Sequence, residues 1–563
     1  MSSVLVARGV SKTLAIAIVA VVLVAAVAIT AAVILSRPPA PVTTPRPQPV
    51  VIPQLKIGHN YEPDTLDLHA TTWADITSAL VYGTYLVRDW RDGTFLGYLA
   101  ESWRFEEGGR VFVIRLKPGL RFADGTPINA SVIKYTYERM KSKNAPTLAI
   151  FGKLERVEVV DELTAKLVFE EPYAPLLVVL TNSYQAPFNP SYIEKVGDVA
   201  YGRAPLAAGP FYVVEWKAGD YILYRQNPYY LRRPDVGGTG PVPVNEIYLK
   251  FIKDPVALVT ALETGAVDLI TTVSPELFPS LVAKNNTDIV VVTFPGIQLN
   301  YFGFNCIRWP FNDSRVRLAI AIILGGEDIR QALNEINNGL AYPVWGPLVP
   351  TIVGFDKAME QYAKEKVYYN LPLSERIKIA RELLKGAGWE DRDGDGILEY
   401  LDGTPFSFPL LVPREFYSTK EAEYLAYVLK QAGLEFKPLI LDSVTIRDKY
   451  LLTAEHYVFL YVYGWQDALI LRYLFHSTGV KRTWFSTPEL DYILDKVASV
   501  VDPAERQEWI NKAQKILIDE APWVPLYAPL SVVAWRSVYT NIIINQYEGG
   551  TILLDLISLR VGG

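Results

Sequence analysis

Along most of the chain, short segments of alternating apolar and polar residues are followed by segments in which apolar residues recur every three to four positions. The first pattern predicts half-buried strands and the second predicts amphipathic helices. Strands are predicted at residues 55–59, 111–116, 164–169, 212–216, 221–225 and 245–252. Helices are predicted at residues 75–85, 130–143, 255–264, 314–323, 373–385, 419–431, 488–500 and 504–519. This alternation predicts a mixed α/β protein.

The N-terminal region breaks this pattern. Residues 13–35 are 23 positions without a charge, almost all Ala, Val, Leu or Ile. As a helix they would be about 35 Å long, which is enough to cross a bilayer. We therefore expect a short N-terminal segment, residues 1–12, and a transmembrane anchor that holds the rest of the chain on the outer side of the membrane. A cleaved signal segment is the alternative.

A proline-rich segment follows the apolar run. Residues 36–53 contain seven prolines, which keep the backbone extended and out of helices and sheets. In the polyproline II conformation the segment would reach about 55 Å. We interpret it as a spacer between the membrane and a globular body at the cell surface.

Composition excludes several classes of function. Four of the 55 basic residues precede residue 54, so residues 54–563 carry 61 acidic and 51 basic residues, and this excess of acids disfavours nucleic-acid binding. Four His and one Cys supply few ligands for a soft metal and little thiol chemistry. We interpret the single Cys306 as a small buried apolar residue.

Several motifs carry a resemblance to a known family. Residues 99–103 (LAESW) precede residues 111–127 (VFVIRLKPGLRFADGTP) and the helical stretch 132–140. Further motifs follow in order at residues 208–221, 227–230, 261–268, 304–305, 310–319, 379–389 and 521–526. This series resembles the peptide-type solute-binding proteins of ABC importers, which bind dipeptides or oligopeptides. The resemblance covers essentially all of residues 54–560.

The resemblance implies a fold and a function. It implies the two-lobed, periplasmic-binding-protein-like (Venus-flytrap) α/β fold, with an inserted subdomain. Mapped by motif, lobe I comprises residues 54–95, 206–296 and 523–560, the inserted subdomain residues 96–205, and lobe II residues 297–522. The implied function is to enclose an oligopeptide between the lobes and deliver it unchanged to an ABC permease. No cofactor and no catalytic residue are expected.

Some residues are candidates for ligand contact on the same resemblance. Asp467 matches the aspartate that pairs with a ligand's α-ammonium group in relatives, and a solvated loop residue is the alternative. Tyr301, Phe302 and Trp465 are candidates to enclose the ligand with their rings, with core packing as the alternative; for Phe302 we expect the core. Glu62 and Asn305 are further candidates; a surface turn and a backbone cap are their alternatives.

One acidic loop resembles an EF-hand calcium loop. Asp391, Asp393, Asp395, Glu399 and Asp402 supply oxygen atoms at loop positions 1, 3, 5, 9 and 12, with glycine at position 6. The aspartate at position 12 is shorter than the usual glutamate, and the flanks predict a helix and a strand. A plain turn and a calcium site both remain open, and calorimetric titration with Ca²⁺ decides between them.

Two other functions compete with peptide binding. Oligosaccharide binding fits the same architecture, and the 34 Tyr and 12 Trp could provide platforms for sugar rings. A secreted hydrolase would need a nucleophile with a base, or paired carboxylates, and no such set is recognisable in the sequence.

Overall fold

The computed structural model describes residues 51–237, 240–283 and 288–560, which belong to one compact unit beginning at Val51. The expected segment 1–12, the expected anchor 13–35 and most of the proline-rich segment lie outside the described residues. Within the described part of the chain, no helix is both long and apolar enough to cross a membrane.

A twelve-stranded mixed sheet runs through the body. Ten strands lie side by side in the order Glu435–Leu441, Ser407–Pro413, Val458–Gly464, Gln298–Phe304, Trp523–Arg536, Leu269–Ile270, Ile52–His59, Val244–Phe251, Tyr221–Gln226 and Phe211–Lys217. Two more strands, Ile289–Pro295 and Ala341–Pro343, pair with Trp523–Arg536. The first strand begins at Ile52, inside the stretch predicted to be spacer.

Seven of the eight predicted helices are confirmed, whereas the helices at residues 190–196, 327–336, 357–366 and 469–475 were not predicted. The α-helices of seven or more residues span Ala130–Ser142, Pro190–Val196, Pro255–Glu263, Ser314–Leu324, Glu327–Ile336, Lys357–Lys366, Leu373–Gly386, Thr419–Lys430, Leu469–Phe475, Pro488–Ser499 and Pro503–Glu520. The helix predicted at residues 75–85 is wrong in length, since only Ile76–Ala79 is helical. Leu80 and Val81 instead accept hydrogen bonds from the backbone N–H groups of Phe211 and Gly209, which draws the chain out of the helix.

One long strand joins the two halves of the sheet. Residues 523–527 of the strand Trp523–Arg536 pair with Gln298–Phe304, while residues 530–536 pair with Ile289–Pro295. The chain therefore crosses between the lobes twice, once between Pro295 and Gln298 and once near Pro529. The predicted start of the lobe I return at residue 523 is corrected, because residues 523–528 pair with strands of lobe II.

Each lobe has its own apolar core. In lobe I, side chains such as Leu55, Phe211 and Trp535 pack together. In lobe II both faces of the half-sheet are covered, with Phe302 in the core on one face and Tyr301 in the core on the other. Consecutive residues of a strand point to opposite faces, so both rings are buried although they are neighbours in sequence.

The inserted subdomain is built on its own four-stranded antiparallel sheet. Its strands lie in the order Ala100–Glu106, Val111–Leu116, Thr164–Phe169 and Leu154–Val159, and the helix Ala130–Ser142 packs on them. Toward the end of the predicted insertion, Phe188, Ile193 and Tyr201 pack into the lobe I core instead.

The lobes also touch away from the crossings. Arg88 of lobe I donates through Nη1 to the carbonyl oxygen of Thr351 of lobe II at 2.8 Å. The backbone N–H of Ala174, in the inserted subdomain, donates to the carbonyl oxygen of Ala498 at 2.9 Å.

Candidate functional site

A cavity of about 700 Å³ lies beside the two crossings. Lobe I provides most of its wall, including Phe211, the inserted subdomain adds Tyr98, and Gln298 and Gln466 border it from lobe II. Pockets of 300–1,000 Å³ that combine an apolar wall with a few polar groups are typical of small-molecule sites. We therefore take this cavity as the candidate binding site.

Three polar side chains that are hydrogen-bonded in series form one part of the wall. The parallel strands Ile52–His59 and Leu269–Ile270 end side by side, which places His59 next to Thr271. Nδ1 of His59 lies 2.7 Å from Oγ1 of Thr271, and Nε2 lies 3.1 Å from Oδ2 of Asp75. Asp75 also accepts hydrogen bonds from Trp73 and Thr77.

The hydrogen bonds to Asp75 favour the ionised form of its carboxyl group. Burial raises the pKa of Asp75, but the hydrogen bonds from His59, Thr77 and Trp73 outweigh burial and hold the pKa below its usual value. In the tautomer of His59 that carries its proton on Nε2, this proton is donated to Asp75 and Nδ1 accepts from the Thr271 hydroxyl. The oxygen of that hydroxyl remains an acceptor for a further hydrogen bond.

A second part of the wall contains a buried cation with two acids. Arg233 donates to both carboxylate oxygens of Asp235, at 3.1 and 2.9 Å, and to Glu548 at 2.8 Å. Glu548 also accepts from the backbone N–H of Arg88 at 2.6 Å. Every nitrogen of the Arg233 side chain is thus hydrogen-bonded within the protein.

A third part of the wall contains Asp555, in the turn after the strand Thr551–Leu553. Its carboxylate accepts a hydrogen bond from the Tyr230 hydroxyl at 2.9 Å. Burial raises the pKa of Asp555, and the Tyr230 hydrogen bond and the Arg233 charge only partly offset that effect. The rings of Tyr98 and Tyr230 stand edge to face beside it, with centroids 6.5 Å apart.

Asp467 lies inside lobe II and is not part of the cavity wall. Its side chain is fully buried, and its two oxygens accept from Nη1 and Nη2 of Arg506 at 2.8 and 2.6 Å. The alternative of a solvated loop residue is wrong, since such a residue would be exposed, and ligand contact through Asp467 stays a prediction. A ligand ammonium group would have to displace Arg506 to reach it.

The predicted aromatic contacts also lie in lobe II. Tyr301 packs against Trp523, with ring centroids 4.6 Å apart, and its hydroxyl accepts from Arg482 at 3.2 Å. Trp465 packs against the same core as Tyr301. Phe302 is fully buried in the core on the other face, as expected. None of the three borders the cavity.

Asn305 and Glu62 form hydrogen bonds that hold neighbouring segments of the protein together. The Asn305 side-chain amide donates to the carbonyl oxygens of Ala454 and His456, which is the backbone-cap alternative. Glu62 accepts from Nε1 of Trp216 and from the N–H of Gly219, and so holds the hairpin 211–226. Neither residue lies in the cavity wall.

The acidic loop brings four of its five predicted oxygen donors together. One oxygen from each of Asp391, Asp393, Asp395 and Glu399 lies within 4.8 Å of the others. Asp402 instead accepts a hydrogen bond from the backbone N–H of Thr404. Each of the four clustered carboxylates also accepts a backbone N–H, from Gly394, Asp395, Ile397 and Arg392 respectively. The loop therefore fits a plain turn as well as a cation site, and calcium binding stays a prediction.

Sequence reasoning missed the residues that do border the cavity. Asp75, Thr271, Glu548 and Asp555 come from distant parts of the chain and meet only in the fold. One signal was available for Asp555, which is the single charge in the apolar run 552–557 (ILLDLI). A lone acid in such a run must find a partner when the run is buried.

Comparison with known families identifies the fold. Residues 94–478 match the model of the bacterial extracellular solute-binding proteins, family 5. The chain belongs to this family. Its family 5 membership accounts for the two α/β lobes.

Curated and solved relatives cover most of the chain. A probable D,D-dipeptide-binding periplasmic protein, DdpA of Escherichia coli K12, is 24% identical over 497 residues, which is 84% of this chain and 88% of the relative. The structure of AppA from Bacillus subtilis with a nonapeptide has a TM-score of 0.64 at 21% identity, over 91% of this chain and 100% of AppA. The unliganded open form of MppA, a periplasmic murein tripeptide-binding protein, has a TM-score of 0.76 at 18% identity, over 91% of this chain and 99% of MppA.

Proposed function

We propose that this family 5 protein binds peptides in the cavity beside the crossings and delivers them unchanged to an ABC import permease. The observation that carries the proposal is the position of the cavity, which has walls from both lobes and lies where, within the described residues, two chain segments connect them. Relatives named for binding D,D-dipeptides and glutathione, and the oligopeptide-binding protein AppA with its nonapeptide, support peptides as the solute class.

Two connections allow a hinge motion. The segment between Pro295 and Gln298 and the middle of the strand Trp523–Arg536 are the places where backbone angles can change without disturbing either core. A solute that contacts both lobes stabilises the closed arrangement by the difference between its affinities for the closed and open forms. Gln298 and Gln466 are lobe II side chains that border the cavity and are placed to contact such a solute.

The location of the protein is part of the proposal. Family 5 proteins are extracellular solute-binding proteins, so the body lies outside the cytoplasm. The uncharged residues 13–35 and the proline-rich residues 36–53 support retention at the membrane, with the body on a spacer near its permease.

Thermal unfolding of the purified full-length chain tests the proposal. With a peptide library, we expect the free energy of unfolding to rise by about 2.7 kcal/mol at a ligand concentration of 100 times the dissociation constant. An oligosaccharide library should give no such shift. Stabilisation by sugars alone would replace peptides with oligosaccharides as the solute class.

A pair of matched variants locates the binding. Ser531 is exposed and borders the cavity, so Ser531→Trp should occupy cavity space and weaken peptide binding at least tenfold. Ser477 is an exposed serine of lobe II outside the cavity wall, and Ser477→Trp should leave binding unchanged. Equal binding by both variants would place the peptide elsewhere.

One observation favours a second candidate function, peptide hydrolysis. Thr271, His59 and Asp75 form a hydroxyl–imidazole–carboxylate chain that borders the cavity. In our proposal these hydrogen bonds orient the Thr271 hydroxyl oxygen to bind the peptide. Mass spectrometry of peptides after incubation distinguishes the two, because hydrolysis gives fragments that Thr271→Val abolishes, whereas transport binding returns intact peptide.

A further inference from the structure

Asp555 is a buried acid without a cation of its own. Its residue surface is 4% exposed, and within the described residues its one hydrogen bond comes from a neutral phenol, the Tyr230 hydroxyl. A buried carboxylate is costly unless an opposite charge or several hydrogen bonds satisfy it. A second partner is therefore required for Asp555 to be ionised.

The nearby guanidinium groups do not fill this role. Arg233 directs its side-chain nitrogens to Asp235 and Glu548. Arg232 donates instead to the carbonyl oxygens of Gly240 and Pro241, at 3.0 and 2.8 Å. Both cations influence Asp555 from a distance, but neither forms an ion pair with it.

The cavity surroundings favour a positive charge. Asp75, Glu548 and Asp555 border the cavity, whereas Arg233 is the cation that borders it within the described residues. The Tyr98 and Tyr230 rings lie next to Asp555 and border the same cavity. Aromatic rings attract ammonium groups through the negative potential of their faces.

We propose that the solute carries an ammonium group and that Asp555 is its counter-ion in the cavity. This inference rests on the proposed function and narrows its substrate class to peptides with a free amine. The amine can be the α-ammonium of the N-terminus or the side chain of a lysine, which present the same charged group. The ligand cation would supply the charge partner that Asp555 lacks, in a charge-assisted hydrogen bond.

Three synthetic tetrapeptide libraries test the inference on the full-length chain. The first has free N-termini and no lysine, the second is the same library N-acetylated, and the third is N-acetylated but contains lysine. Half-saturation is read from titrations of the melting temperature. We expect the wild-type protein to bind at least one amine-bearing library about tenfold or more tightly than the amine-free library. The first and third libraries distinguish the two sources of the amine.

Variants assign the counter-ion. Asp555→Asn keeps the side-chain volume and should bind the amine-bearing and amine-free libraries about equally. Asp555→Glu should restore part of the preference for the amine-bearing libraries. Asp64→Asn removes an exposed acid outside the cavity wall and should keep the wild-type preference. Unliganded melting temperatures verify that each variant is folded.

The outcomes separate this inference from the proposed function. If no library stabilises the wild-type protein, the proposed function fails and the inference fails with it. If all three libraries bind equally well, peptide binding stands and the ammonium inference is overturned. A preference that persists in Asp555→Asn and is lost in Asp467→Asn would move the counter-ion to Asp467.

Discussion

Asp467 and Arg506 show how much the role of a single residue depends on its partner. The motif that contains Asp467 is recognisable in the sequence, but its bonding to a residue 39 positions later is not. Both side chains are buried in lobe II, and two hydrogen bonds from Arg506 and one from the backbone N–H of Leu469 satisfy the carboxylate. The same holds for Asn305 and Glu62, since only the fold brings near the backbone groups that bind both side chains and the Trp216 indole that also binds Glu62.

We predict that Asp467→Asn lowers the free energy of unfolding by about 3–5 kcal/mol, because Arg506 then keeps a buried charge without its partner. The double variant Asp467→Leu/Arg506→Met should recover most of this loss, since it removes both charges together. Urea unfolding of the two variants and the wild type measures the effect. Wild-type stability in Asp467→Asn would contradict the structural role and favour the ligand-binding one.

At the scale of elements, the helix Ala130–Ser142 anchors the inserted subdomain to lobe I through one buried cation. Arg139 donates to both oxygens of Asp67 at 3.0 and 2.6 Å, and its Nη1 lies 2.9 Å from Nδ1 of His69. The helix and its boundaries follow from the spacing of its apolar residues. The anchor does not, because Asp67 and His69 lie more than 60 positions earlier in an irregular segment.

This anchor makes stability dependent on pH. Burial, and secondarily the Arg139 charge, lower the pKa of His69 from 6.5 to about 3. Below pH 6.5 the unfolded chain therefore binds a proton that the folded chain excludes, so stability falls as the pH falls. Between pH 7 and pH 5 we expect His69 to contribute a loss of about 2 kcal/mol.

The variant His69→Gln isolates this contribution, since glutamine keeps an acceptor for Arg139 but does not titrate. Urea unfolding at both pH values should show a smaller loss of stability in the variant than in the wild type. An equal loss in the two proteins would show that His69 is not the group responsible.

At the scale of the whole molecule, the order of motifs predicts the two-lobed family 5 fold, and the match over residues 94–478 confirms the family. The cavity itself was beyond sequence reasoning. Its wall draws on residues between positions 59 and 98, 181 and 242, 271 and 298, and 529 and 555, together with Gln466, and the C-terminal portion has no strong periodic pattern to place it. Residues distant in sequence can be assigned to one wall only when strand pairing and the second crossing are known.

The central claim is that the lobes move together around a peptide. The most direct test measures the distance between spin labels on the two lobes, at Val199, which is 86% exposed, and Tyr492, which is 57% exposed. The single native cysteine is replaced by Cys306→Ala, and a lobe II pair at Tyr427 and Tyr492 serves as the control. We predict that saturating peptide shortens the interlobe distance and leaves the control distance unchanged. Peptide binding without any change in the interlobe distance would contradict the account.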